Sequence, residues 1–163
     1  GVIGEPLDAA KLVPYFEALV NQSNATWHDA ANAILTTDTF AKGAHTTCTI
    51  DGVSVDICGI AKGSGMIAPN LATMLSFIFT NADINSNLLK TLLKRSVANT
   101  FNAITVDSDQ STNDMVSIFS TKAVKIGQNI SLNDKNIQKF EIALKKLCLI
   151  LGKKISLIKS TYR

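Results

Sequence analysis

Asp51-Gly52 stands between two runs of β-forming residues, Thr46 to Ile50 and Val53 to Ile57. Both positions of the dipeptide tolerate positive φ, which a two-residue turn between antiparallel strands demands. A hairpin is therefore the fixed point around which the remaining segments must be arranged. Its second arm leads into a glycine-broken loop carrying Lys62, Gly63 and Gly65. Beyond that loop, Met74 to Phe79 reads as a buried strand.

Helical signals lie on both sides. Pro6-Leu7-Asp8 opens a helical pattern in which Leu12, Tyr15, Phe16, Leu19 and Val20 recur at helical spacing, with Pro14 breaking or restarting it. Asn24-Ala25-Thr26 caps a second helix through Trp27, Ala30, Ala31 and Ile34, which ends at Thr36-Thr37-Asp38-Thr39. Leu88, Leu89, Leu92 and Leu93 mark a helix after Asn85-Ser86-Asn87, and Ile104 to Val106 and Met115 to Phe119 read as short strands around a polar loop. Asp134 caps a last helix with the stripe Ile137, Phe140, Ala143 or Leu144, Leu147 and Leu151. Strands and helices mixed at this density predict an α/β or α+β layered sandwich, one domain over residues 1–163.

Composition narrows the function classes. With 46% hydrophobic and 18% charged residues the chain reads as globular rather than disordered. A formal charge of +3 is too small to imply nucleic acid by itself, and Lys145, Lys146, Lys153, Lys154 and Lys159 read as a solvated helix face. Cys48, Cys58 and Cys148 match no zinc spacing and are expected to be reduced thiols, so no metal is predicted. Met66 to Thr80 is the longest apolar stretch, is interrupted by Pro69 and Asn70, and is too short to span a bilayer. No signal peptide is read at the start, where Glu5, Pro6 and Asp8 interrupt the apolar residues; Gly1 without a preceding methionine suggests a fragment or a processed product.

The chemistry-bearing candidate is Thr73. A threonine opening an apolar strand is ordinarily a β-former. Here it follows small Ala72, a flexible Gly63/Gly65 approach and a Pro69-Asn70 bend. A hydroxyl that attacks its own preceding carbonyl needs backbone held out of ordinary strand geometry, and such a bend stores that strain. An N→O acyl shift and ester hydrolysis would free an α-amino group of pKa about 7.7–8.0, able to act as base for the same residue's hydroxyl. Lys62, eleven positions earlier, is a solvated loop lysine or a holder of a substrate carboxylate. The loop is not a nucleotide-phosphate loop, because its lysine precedes Gly63-Ser64 instead of following the motif's glycine. Asp107 to Asp114 lacks the glycine and glutamate of a calcium loop and reads as a polar turn or a brace for the Thr73 strand. The Thr36-Thr37-Asp38-Thr39 cluster caps a helix or presents hydroxyls to a polar substrate. His28 and His45 show no carboxylate or serine at telling spacing.

Several blocks together resemble the ornithine acetyltransferase family, the bifunctional glutamate N-acetyltransferases of arginine biosynthesis. They are Gly1-Val2-Ile3-Gly4, Thr36-Thr37-Asp38-Thr39 with Lys42, Gly59 through Leu75, Phe101-Asn102 with Ile104-Thr105-Val106-Asp107, and Asp109 with Ser111 to Asp114. The resemblance implies self-cleavage between Ala72 and Thr73, with 1–72 ending an α chain and 73–163 starting a β chain. It makes Thr73 the acetyl-carrying nucleophile, and Thr36 and Lys62, with Thr73, substrate-binding residues. Gly1 resembles the glycine of the family's Thr-Gly oxyanion hole. Acetyl would pass from N-acetylornithine to glutamate in the cytoplasm, with acetyl-CoA a further donor in part of the family and no other cofactor. The α and β chains of the family stay associated, commonly as a heterotetramer, with no nucleic acid or membrane partner.

The chain departs from the family pattern at Ser108 and Gln110, and beyond Cys148 it lacks the segment with the family's substrate-binding glutamate. A partial domain is therefore expected. The rival readings are a self-processing amidohydrolase or aminopeptidase with the same nucleophile, and an inactive truncated fragment.

Overall fold

A computed structural model describes residues 4–21, 24–63, 73–104, 113–127 and 131–157. The hairpin is present where the turn signal places it. Strands β1 (Lys42–Ile50) and β2 (Val53–Lys62) pair antiparallel, and Asp51 and Gly52 take φ of 48° and 80°. β3 (Leu75–Ala82) continues antiparallel to β2, and β4 (Met115–Val124) lies parallel to β3, giving the order β1-β2-β3-β4. A parallel neighbour requires a crossover. Helix α3 (Ser86–Ala98) lies within it, started by the Asn85 side chain, which accepts the Leu88 amide at 2.9 Å. The architecture is α+β, a mixed sheet with helices.

One face of the sheet is covered by α4 (Lys135–Ser156). Its predicted stripe is the core: Ile137, Phe140, Leu144, Leu147 and Leu151 are fully buried with Val55, Ile57 and Ile78. Gly59 lets helix and sheet approach, for a methyl there would meet Leu147, Leu151 and Ile78 at 3.2–3.3 Å. Gly59→Val is expected to cost about 1–3 kcal/mol, the range for overpacking a filled core, read from the shift in the urea midpoint. The helix also bonds to the hairpin directly. Thr46 Oγ1 donates to the Ala143 carbonyl at 3.1 Å, and Lys154 Nζ donates to the Gly43 carbonyl at 2.6 Å. Lys154 thus leaves the solvated lysine face expected of it, because its stem reaches over the end of β1.

The opposite face carries α2 (Trp27–Ala33), started by a capping box in which Thr26 and Asp29 satisfy each other's amides. Its Trp27 ring lies 5.1 Å from Phe79, which stacks on Phe119 at 5.2 Å. Further toward the N-terminus, two 3₁₀ turns at Ala9–Lys11 and Val13–Tyr15 precede α1 (Phe16–Asn21). The predicted stripe of Leu12, Tyr15, Phe16, Leu19 and Val20 is exposed.

One expectation changes. Ile104 follows a 3₁₀ turn at Phe101–Ala103 and is not in a strand, its neighbours 105 and 106 lying outside the described residues. The turn's hydrogen bonds, from Ala103 to Thr100 and from Ile104 to Phe101, outcompete the local β preference. The three cysteines are free as expected, and burial pushes the Cys148 thiol up to about 12.

Candidate active site

The end of the sheet where β2 finishes and β3 begins gathers most of the predicted residues. Lys62 is the last residue of β2 and only 7% exposed, so it is not the solvated loop lysine that its glycine neighbours suggested. Strand pairing extends to Lys62, whose Cα partner is Leu75, and this carries the lysine indoors. Its ammonium donates to Thr36 Oγ1 at 3.3 Å. Thr36 lies just past the C-terminal end of α2, which delivers it to this point. The structure therefore joins the Thr36 and Lys62 that sequence placed twenty-six positions apart.

Thr73 stands two residues before Leu75, at the mouth of β3, and is half-buried. The chain beside it is fixed from β4's side. Asp114 Oδ1 accepts the Met74 amide at 2.8 Å, and the Met115 amide donates to the Met74 carbonyl at 3.0 Å. The acidic end of the polar loop thus braces the Thr73 strand, as its functional reading held. Residues 64–72, with Ala72, and 105–112 lie outside the described residues, as does Gly1.

Sequence reasoning gave Asp38 no part beyond a capping cluster, yet it is the hub of this corner. Its carboxylate is fully buried and pairs with the Lys42 ammonium, while Oδ1 also accepts the Gly63 amide at 2.8 Å. Burial opposes the carboxylate charge, but Lys42 and the Gly63 and Thr36 amides outweigh it and hold Asp38 below the usual carboxylate range. Lys42 is 1% exposed and lies over the Phe40 ring at 4.5 Å. The spacing of Asp38 and Lys42, four apart just before a strand, was the available signal.

His45 finds a carboxylate partner in space while staying outside the candidate site. Its Nε2 lies 2.9 Å from Asp56 Oδ1, and Asp56 is further held by Asn81. The carboxylate is close in space because the hairpin folds β2 back along β1. This pair lies on exposed strand surface and does not join the Lys62 corner. Among the described residues no His, Cys, Asp and Glu group could hold a metal ion, and no helix is long and apolar enough to cross a membrane.

Comparison with known proteins settles the family. The ArgJ family model matches residues 1–157. The chain belongs to the ArgJ family. The ArgJ bifunctional arginine biosynthesis protein of Nitrobacter winogradskyi is 54% identical over 124 residues, which are 76% of this chain and 30% of that protein. The ArgJ proteins of Agrobacterium fabrum and Gluconobacter oxydans are 46% and 45% identical over 90% and 93% of this chain, and 37% and 36% of their own lengths. The chain thus spans about a third of the length of these curated relatives. A crystal structure of the PH0078 protein from Pyrococcus horikoshii OT3 covers 69% of this chain and 38% of its own, with a TM-score of 0.49 and 14% identity, a likeness too remote to bear on function.

Proposed function

We propose that this ArgJ chain carries the nucleophile of a glutamate N-acetyltransferase and matures by cutting itself before Thr73. The observation that supports this best is the meeting of Thr36 and Lys62 at the sheet end where Thr73 enters β3. In the maturation step the Thr73 hydroxyl oxygen attacks the Ala72 carbonyl carbon, and the Ala72–Thr73 C–N bond breaks to leave an ester and a free amine. Water then hydrolyses the ester, releasing the Ala72 carboxylate. In turnover the freed amine takes the hydroxyl proton while Thr73 Oγ attacks the acetyl carbonyl of N-acetylornithine. Ornithine departs, and the amine of glutamate removes the acetyl group from the threonyl ester.

Lys62 fits the role of carboxylate holder. Among the described residues no carboxylate pairs with it, and the group it donates to is the neutral Thr36 hydroxyl. An ammonium so buried gains most from an arriving anion. Gly1 would supply an oxyanion donor. The cut products would remain together, because β1 and β2 precede the cut while β3 and α4, which pair with and pack on them, follow it. A larger assembly of two such pairs, in the cytoplasm and with acetyl-CoA as a second donor, completes the reading.

The test is a mass measurement after brief incubation with N-acetylornithine. The piece starting at Thr73 should gain one acetyl group and lose it when glutamate is added. Loss of the label to water at the same rate without glutamate would favour the amidohydrolase reading, and no label at all would overturn both.

A further inference from the structure

We infer that Asp38 is the positioning residue of this corner, its carboxylate fixing Gly63 against Met74 and so setting where the chain leading to Thr73 starts and returns. The inference rests on the nucleophile reading for its consequence, though not for its geometry. Gly63 and Met74 flank residues 64–72, and each has its amide held by a carboxylate from another segment. Asp38 Oδ1 takes the Gly63 amide and Asp114 Oδ1 the Met74 amide, both at 2.8 Å. The two backbones nearly touch, for a methyl on Gly63 would lie 3.4 Å from Met74 Cα. Gly63 has φ of +142°, a conformation open to glycine and strained for any residue with a side chain.

The residue is a costly one for a plain structural role. Its side chain is fully buried, and Oδ2 has no hydrogen-bond partner among the described residues. Hydrophobic residues in place of a buried ion pair are often neutral or stabilising, so stability alone does not call for Asp38 and Lys42. What apolar side chains would not supply is the acceptor for Gly63. Through Gly63 the same carboxylate holds the residue that follows Lys62, whose own ammonium donates to Thr36.

Two double variants separate placement from stability: Asp38→Asn with Lys42→Met, and Asp38→Leu with Lys42→Met. Both remove the ion pair, and only asparagine keeps an acceptor at Oδ1. Two readouts are taken, amide hydrogen exchange at Gly63 and the rate of cleavage before Thr73. The asparagine variant should match the wild type in both. The leucine variant, at equal melting temperature, should exchange Gly63 about tenfold faster or more, as one lost hydrogen bond allows, and cleave more slowly. Equal Gly63 exchange in the two variants would overturn the inference. A Gly63 difference in a protein that never cleaves would uphold Asp38 as the hold on Gly63 and sink the self-processing reading instead. Should the leucine variant not fold, Asp38→Glu keeps the charge but displaces the acceptor by one methylene. It should speed Gly63 exchange and slow cleavage by about 10²-fold, the scale of an ångström of misplacement; unchanged exchange would again overturn the inference.

Discussion

Lys42→Met is expected to destabilise the fold by about 3–5 kcal/mol at neutral pH, the scale for leaving one member of a buried pair alone. The Asp38 carboxylate, with no solvent exposure, would lose its ammonium partner and keep only amide donors. The deficit should depend on pH with a definite sign. In the wild type the folded pKa of Asp38 is depressed, so its contribution is present above the unfolded carboxylate value of about 3.9 and is lost as pH falls through the folded value. In the variant, burial without the lysine raises the folded pKa, so the fold is favoured by protonation. The gap between the two proteins should therefore narrow as pH falls toward 4 and below, measured by urea titration at several pH values. A gap that stays constant would mean that the lysine contributes packing and not charge.

Thr73→Ala should abolish cleavage before position 73 while leaving the melting temperature close to that of an uncut chain. Thr73 is half-buried at a strand mouth, so removal of its hydroxyl and methyl leaves no closed cavity in the α4-facing core. The whole effect then falls on chemistry, since no other hydroxyl sits at the residue following the scissile carbonyl. Thr73→Ser should retain cleavage at a reduced rate, because it keeps the nucleophile but loses the methyl that restricts χ1. Activity retained in Thr73→Ala would move the nucleophile elsewhere.

The parts of the fold legible in sequence were those governed by local physics. Asp51-Gly52 dictated the turn through positive φ, Asp134 and Asn85 satisfied helix amides, and the 3.6-residue stripe of α4 became the core. The turn even carried more than was taken from it. Counting back along the hairpin sets His45 opposite Cys58, with Asp56 at the next position on that face. The His45–Asp56 contact was thus available from register alone.

Lys62 and Asp38 were not legible in that way. How far β2 runs depends on β3 arriving beside it, a pairing between segments that no local pattern specifies. Without that pairing, a lysine among glycines reads as solvated. Asp38 is decided by the same return of the chain, which brings the Gly63 amide to its carboxylate across twenty-five positions. The exposed Leu12, Tyr15, Phe16, Leu19 and Val20 show the converse case, in which helical spacing gave the helix but not a partner for its face.

Thr73 is held to be a hydroxyl aimed at the carbonyl just before it, and intact-mass measurement of the purified wild type under denaturing conditions reads this directly. Two polypeptides are expected, residues 1–72 and 73–163 of the sequence, the second with threonine at its N-terminus. A single uncut mass, stable over time at neutral pH, would contradict it.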